Sequence, residues 1–445
     1  MLFLDAVPLK DLSAGWSADP SLCMREIVCG LVSVGAILLE AELVVPGLKL
    51  SAARKVMLAA IASLVHLAMA MSVAHWWVFP TPFMLIVCAP SIGLSMNALM
   101  VATIGCQDRK VLEAYMNFSN CVGFRTMMLV VYPAYNAAFL SLTGVPQLVF
   151  VLLLPLIKFG FKRMIAKLQP NDDDFVPSLQ SSVDIFDALY MTKCMQSAGA
   201  LLVGVGIIAI DVAQNYLTHH FLTKQCKTLR AVMTSGTRTE AQDPFDLFPL
   251  DTASPSGGGG PPVLHRKAVV PHQTARVVPF STVQQQSLRS GSPPTEALVV
   301  TDDAIFRETT RLLHQSEAVV VVEYFEVVVP VLYVVYISIL AHLPNAKYYV
   351  DMVAMTSDKL HQTVTNILIY ALFELLSLVH VAHLLKRSFR VSVFSQLAFV
   401  LESDWRIYQC NLIAWIILIF NILLMHFGSD FTFKFAWMHA GAVAP

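Results

Sequence analysis

Apolar residues recur along this chain in continuous runs of about 20 residues, the length a helix needs to cross a hydrocarbon core about 30 Å thick. The runs lie at 26–46, 56–78, 82–104, 126–143, 146–161, 193–216, 318–342, 363–385 and 409–427. They are unbroken rather than alternating, which predicts helices and excludes a transmembrane barrel. The expected fold class is all-α, a multi-pass transmembrane helical bundle. Phe79-Pro80-Thr81-Pro82 and Thr143-Gly144-Val145-Pro146 read as tight, uncharged hairpin tips. Residues 232–300 interrupt the pattern. They are rich in Ser, Thr, Pro and Gly, with SPSGGGGPP at 254–262, and hold too little apolar surface to order themselves. This predicts an N-terminal transmembrane block (1–231), a disordered loop (232–300) and a C-terminal transmembrane block (301–445). Order resumes at DDAIFRETTRLLHQSE (302–317), whose amphipathic spacing leads into the seventh run as one helix.

Composition strengthens this reading. Of 445 residues, 56% are hydrophobic and 14% charged, and the mean hydropathy is +0.63. A soluble domain is about 45–50% apolar and about 25% charged. The implied partner is the lipid bilayer. A net charge of −1 gives no sign of a nucleic-acid partner. Asp5, Lys10, Asp11 and Asp19 leave no apolar core for a cleavable signal peptide. The eight cysteines include no CxxC pair and several sit in apolar runs, so buried thiols are expected rather than disulfides or a metal site.

Basic residues predict sidedness. Lys49, Arg54 and Lys55 share one connection, Arg109, Lys110 and Arg125 the next, and Lys158, Lys162, Arg163 and Lys167 follow the fifth run. The positive-inside rule makes these three cytoplasmic and the hairpin tips external. The sequon Asn117-Phe118-Ser119 then faces the cytoplasm and is expected to stay unglycosylated. The sixth run conflicts with this scheme. One crossing there would put residues 217–315 outside, yet Lys224, Lys227 and Arg230 open that loop, and Lys386, Arg387, Arg390 and Arg406 prefer its side. Long loops obey the rule poorly, so a single crossing stays open; the favoured alternative is an even number of passes over residues 175–216, with DFVPSLQSSVDIFDALYM partly in the membrane. The loop is then cytoplasmic and the crossing count eight or ten.

Candidate chemistry lies inside the apolar runs. Glu323 and Glu326 share a face of the seventh run, which Pro330 and Tyr333 continue. Pro330 lacks an amide hydrogen, so the Glu326 carbonyl loses its usual donor. Carboxylate and carbonyl oxygens together suit a proton or a hard cation. A neutral or paired glutamate that only fixes packing is the alternative. In the eighth run Thr363, Asn366, Tyr370, Glu374 and Ser377 form one polar stripe, either a cavity wall or a hydrogen-bonded seam. In the sixth, Lys193, Ser197, Ala200, Gly204, Ile208 and Asp211 read as one face suited to close helix packing. Glu40 and Glu42 lie in the first run, where ELVVP (42–46) echoes EVVVP (326–330) too briefly to establish a repeat. Positive partners in the bundle would be Lys158, Lys193, His66, His380 and His383.

The sequence contains no P-loop, GxGxxG, GxSxG or HExxH. No enzymatic activity and no cofactor are expected. Within the loop, DPFDLFPLD (243–251) offers Asp243, Phe245, Leu247, Phe248, Leu250 and Asp251 as spaced anchors with acidic flanks. Such a stretch resembles the motifs that bind clathrin and endocytic adaptors, if it is more than a sticky patch in a linker. Ser254-Pro255 and Ser292-Pro293 are candidate phosphorylation sites on the same condition.

The strings FDALYMTKCMQSAG (186–199), HLPNAKYY (342–349), SQLAFVLESDW (395–405) and HFGSDFTFKFAW (426–437) occur in this order. Together they resemble a large group of polytopic membrane proteins encoded in oomycete genomes. The resemblance covers most of the chain outside 232–300. It implies an integral membrane bundle and carries over no catalytic residue. The leading expectation is a transporter or channel in which Glu323, Glu326, Tyr333, Asn366, Tyr370, Glu374, Ser377 and Asp211 line an ion or proton path and carboxyl groups bind a proton or cation, with an ion or small molecule as substrate. The alternative is a non-catalytic membrane scaffold or receptor whose loop recruits trafficking partners. The host membrane, plasma membrane or endomembrane, is not distinguished.

Overall fold

The computed structural model describes residues 1–105, 109–168, 176–197, 201–235, 302–353, 355–389 and 393–428. Fourteen helices of four residues or more lie among them: α1 (Leu2–Ala6), α2 (Pro20–Val44), α3 (Ala52–Trp76), α4 (Met84–Ile104), α5 (Arg109–Thr126), α6 (Met128–Ser141), α7 (Val145–Val151), α8 (Leu153–Leu168), α9 (Val176–Ser197), α10 (Leu201–Ser235), α11 (Asp302–Leu340), α12 (Ser357–Phe389), α13 (Val393–Ser403) and α14 (Trp405–Ile422). Six of them contain stretches long and apolar enough to cross a membrane: α2, α3, α4, α11 from His314, α12 to Arg387, and α14. This is the helical composition of an integral membrane protein.

Local chemistry sets the boundaries. Asp19 caps α2 by accepting from the Ser21 and Leu22 amides, and Pro20 occupies the first turn, where no donor is needed. Val45 is extended ahead of Pro46, which ends α2. Ser51 caps α3 through the Arg54 amide. The α3–α4 hairpin tip packs on the end of the chain's last described turn. Phe83 donates its amide to the Gly428 carbonyl (2.9 Å). Gly428 has φ +61°, and a Cβ there would strike the Thr81 carbonyl, so only glycine fits.

Residues 1–223 and 314–445 form one compact unit, so the segments on either side of the Ser/Pro/Gly-rich stretch share a core. Lys224–Leu313 is a second unit, in which the described residues are the end of α10 and the start of α11. In the first unit α9 is the hub. It packs against α6, α8, α12 and α14, and nearly every residue from 179 to 195 is buried. Yet α9 is too polar to count among the six spans. Phe186 and Tyr190 of α9 join Tyr132 of α6, Phe161 of α8 and Trp415 of α14 in an aromatic core.

Cross-helix contacts give the helix directions. Asn411 of α14 contacts Ser181 and Trp415 contacts Phe186, so α14 and α9 run the same way. Arg125, hydrogen-bonded to Asn411, grips Glu40, while Asn421 grips Arg25, so α2 runs opposite to α14. Phe325 meets Tyr408 and Tyr336 stacks on Phe420 at 4.1 Å, so α11 runs with α14.

Two sequence readings are corrected here. Residues 193–216 are not one helix: Lys193 and Ser197 end α9, whereas Gly204 and Ile208 belong to α10. The apolar window joined two elements because the polar residues of α9 hid its first four turns. Arg125 does not lie in a connection between helices. It lies in α5, fully buried, because Glu40 neutralises it. Ser119 of the sequon is likewise within α5 and donates to Asn97 of α4 (2.7 Å).

Candidate functional site

The chemistry of α9 follows from its spacing. Asp184, Asp187, Tyr190, Lys193 and Gln196 recur every three residues and so wind slowly round the helix. All five are buried or half-buried. A charged side chain inside a membrane bundle is tolerated only when it is paired, and each charge on this row has a partner.

At one end of the row lies Lys158 of α8. Its ammonium lies 3.0 Å from Asp187 Oδ2, 2.9 Å from Glu326 Oε1 on α11 and 3.7 Å from Asp184 Oδ1. One turn along α8, Lys162 lies 2.6 Å from Asp184 Oδ1 and is a quarter exposed. Five ionisable groups from three helices therefore meet, with three carboxylates against two ammonium groups. Asp187 Oδ1, Glu326 Oε2 and the Tyr132 and Tyr190 hydroxyls are buried oxygens without a hydrogen-bond partner. Tyr132 lies in the field of Asp187, Lys158 and Asp184. Low polarizability makes such a surplus of acid costly unless one carboxyl takes up a proton or a cation.

The other end of the row lies near the turn after α11. Lys193 pairs with Asp351 at 2.7 Å. The Tyr333 hydroxyl donates to Gln196 Oε1 (2.8 Å) and approaches Asp351 Oδ2 (3.5 Å). Asp351 is 22% exposed. Titratable and hydrogen-bonding groups thus extend from partly exposed Lys162 to partly exposed Asp351 along α9 and α11.

Two further ion pairs and one histidine–carboxylate contact surround this row. Arg125 makes a bidentate bond to Glu40, 2.9 Å at each oxygen, and its guanidinium lies 5.5 Å from the Trp415 ring centroid. Arg25 donates to Asp5 (2.7 Å), Asn421 (2.9 Å) and the Tyr349 hydroxyl (2.6 Å), and Tyr336 and Tyr349 both donate to Asp5. Glu26 contacts His66 at 2.7 Å, and the other His66 nitrogen faces Ser91 of α4. Outside the spans, the Tyr348 hydroxyl and Lys347 hold the Asp11 carboxyl below its ordinary range. Burial pushes the His426 imidazole down from its usual value.

The residues singled out in the sequence distribute as follows. Glu326 meets Lys158, and Glu323, also buried, lies one turn away. Tyr333 joins the far end of the row. On α12, Thr363, Tyr370 and Glu374 are buried and Asn366 and Ser377 half-buried, whereas Leu368, Leu372 and Leu376 are exposed. The stripe therefore faces the bundle. Ser377 accepts from Asn215 of α10 (2.9 Å), a hydrogen-bonded seam. The side chain of Asp211 and all of 243–251, with Ser254 and Ser292, lie outside the described residues. Of the expected cations, Lys158, Lys193 and His66 have carboxylate partners, while His380 and His383 are exposed. Glu42 binds Lys55 (2.6 Å).

Sequence reasoning did not bring out Asp184, Asp187, Arg25 or Asp5 as site residues. The three-residue recurrence along 184–196 is the signal that could have found the first two. Among the described residues no group of His, Cys, Asp and Glu is arranged to hold a metal ion. No protein-family model matches this chain, and neither a curated protein nor a solved structure matches it.

Proposed function

We propose that this integral membrane protein is a transporter in which the Lys158–Asp187–Glu326 cluster carries a proton. The observation that supports it is the surplus of carboxylate over ammonium within a buried row that extends along two helices. Lys158 already fills the place a metal cation would take between the carboxylates, so a proton is the cargo that fits. One carboxyl of the cluster would alternate between an ion pair with Lys158 and a neutral, protonated acid. Releasing Lys158 changes what holds α8, α9 and α11 together, which couples the proton to a packing change and so to substrate movement.

The test compares purified wild type with Glu326→Gln. Melting temperature is measured against pH and against a panel of alkali cations, then proton flux is measured in liposomes with an enclosed pH dye. A species that binds the folded state raises its melting temperature by mass action. The expected outcome is a pH-dependent shift and flux in wild type, both lost in Glu326→Gln, with little response to alkali cations. Identical pH responses in the two proteins would remove the transport role of Glu326.

One observation favours a second reading, a non-transporting scaffold. Arg125–Glu40 and Arg25–Asp5 are fully buried pairs that tie distant helices together, and the Lys158 cluster can be read as a third such tie. The same experiment separates the two readings.

A further inference from the structure

The outward faces of α11 and α14 leave between them a groove of about 680 Å³. This lies within the range of about 300–1,000 Å³ found for ligand sites. Val328 and Leu332 form one wall, Leu412 and Ile416 the other, and Ile185 and Leu189 of α9 the floor. Three tyrosines line it, and two of them turn their hydroxyls to other partners: Tyr333 to Gln196 and Tyr336 to Asp5. Leu332 and Ile413 are nearly half exposed at the rim. Because both walls are candidate spans, the rim opens onto lipid rather than water.

Shape and charge define the occupant. From Gln409 to Phe420 the groove follows α14 for about 16 Å at about 1.5 Å per residue. That is about half of a hydrocarbon core about 30 Å thick, the depth of one leaflet. At its Gln409 end the helix begins with Trp405 and Arg406. The steps 405, 409, 412 and 416, and 406, 409 and 413, put both residues at the foot of the groove row. Both are exposed, and the Arg406 guanidinium lies 5.7 Å from the Trp405 ring centroid. Trp and Arg are the residues that anchor at headgroup depth. Arg406 also lies within the field of Glu42, which is bound to Lys55 in the first turn of α3, beside the basic α2–α3 connection. The positive-inside rule assigns that connection to the cytoplasm, and the cytoplasmic leaflet is where anionic lipids concentrate.

We propose that this groove binds an anionic phospholipid of the cytoplasmic leaflet, with one acyl chain between α11 and α14 and the phosphate on Arg406. The groove shares the Tyr333 ring with the far end of the row but none of the Lys158–Asp187–Glu326 cluster, and the proposal stands without the transport reading.

The test is a thermal-melting titration of the purified protein in detergent with dioleoyl phosphatidylglycerol or dioleoyl phosphatidylcholine. One basic residue near the surface is worth about 1 kcal/mol toward an anionic lipid, so phosphatidylglycerol should reach its midpoint at about fivefold lower concentration. Arg406→Gln should bring its midpoint up to that of phosphatidylcholine. Leu332→Trp fills the groove from an exposed position and should raise both midpoints about tenfold or more. Ile413→Trp, on the opposite rim, should do the same and serves if the first variant does not fold. Equal midpoints in wild type would overturn the anionic assignment. Unchanged midpoints in the tryptophan variants would overturn the groove as the site, whether the lipid then binds elsewhere or a second copy of the chain covers this face.

Discussion

Replacing Lys158 by Met tests the ionic row directly. The ammonium, on a side chain 15% exposed, touches buried Asp187 at 3.0 Å and buried Glu326 at 2.9 Å. Met keeps the length of the stem, so packing changes little and the perturbation is chiefly the lost charge. The cluster then holds Lys162 against three carboxylates. Stranding one partner of a buried pair costs about 3–5 kcal/mol, a large share of a stability that is about 5–15 kcal/mol for a typical domain. The assay is equilibrium unfolding in detergent micelles, followed by tryptophan fluorescence, for which buried Trp415 beside Phe186 is a close reporter. Two features should identify the cause. The deficit should shrink on acidification from about pH 8 to about pH 5, because a carboxyl that binds a proton no longer strands a charge. Adding Glu326→Gln to Lys158→Met restores the original charge balance and should recover about 2 kcal/mol, the scale of relieving one unsatisfied buried group. If Lys158→Met falls within about 0.5 kcal/mol of wild type, as ordinary surface changes do, the cluster is not under electrostatic load. If the double variant is no more stable than the single one, the contact with Glu326 does not carry the cost.

Two further outcomes follow from the surrounding contacts. Arg125→Met should destabilise by about 3–5 kcal/mol by stranding Glu40, whereas Arg125→Met with Glu40→Leu should recover most of the loss, since a buried ion pair is often replaced by apolar side chains at no net cost; additive losses in this double-mutant cycle would refute the pairing. His426 is held neutral by burial, with Nε2 donating to the Lys10 carbonyl at 2.9 Å. Its folded pKa is depressed, so the unfolded chain takes the proton first. Its contribution is intact above the ordinary histidine value of about 6.5 and is lost as pH falls from there toward the lower folded value. His426→Gln should flatten the melting profile in that window, and an unchanged profile would show that this imidazole is not the titrating group.

The sequence resolved the membrane-facing helices and blurred the interior one. Six spans announce themselves because a helix surrounded by lipid must be apolar on every face, and hydropathy reads that requirement residue by residue. The inward turn of the α12 stripe is legible for the same reason: Thr363, Tyr370 and Glu374 recur at helical steps among exposed leucines. Helix α9 escapes such a scan because it is surrounded by protein. Asp184, Asp187 and Lys193 lower its hydropathy below any threshold, yet each is neutralised by a side chain from another helix. Arg125 misleads for the same reason. In the linear chain it is a basic marker of the cytoplasm, and in the fold it is the buried partner of Glu40, 85 residues away.

The sequence alone thus determined the class of protein, its apolar helices, and the need for Glu326 to face protein. Which cation would meet Glu326 was decided by tertiary structure. Lys158, Lys193, His66, His380 and His383 are equal candidates by composition, and only the parallel course of α9 and α11 with α8 beside them brings Lys158 within 2.9 Å. The physical reason is that solvation by lipid is a property of each residue, whereas electrostatic compensation is a property of pairs. Pairs of distant residues are fixed by how the helices pack.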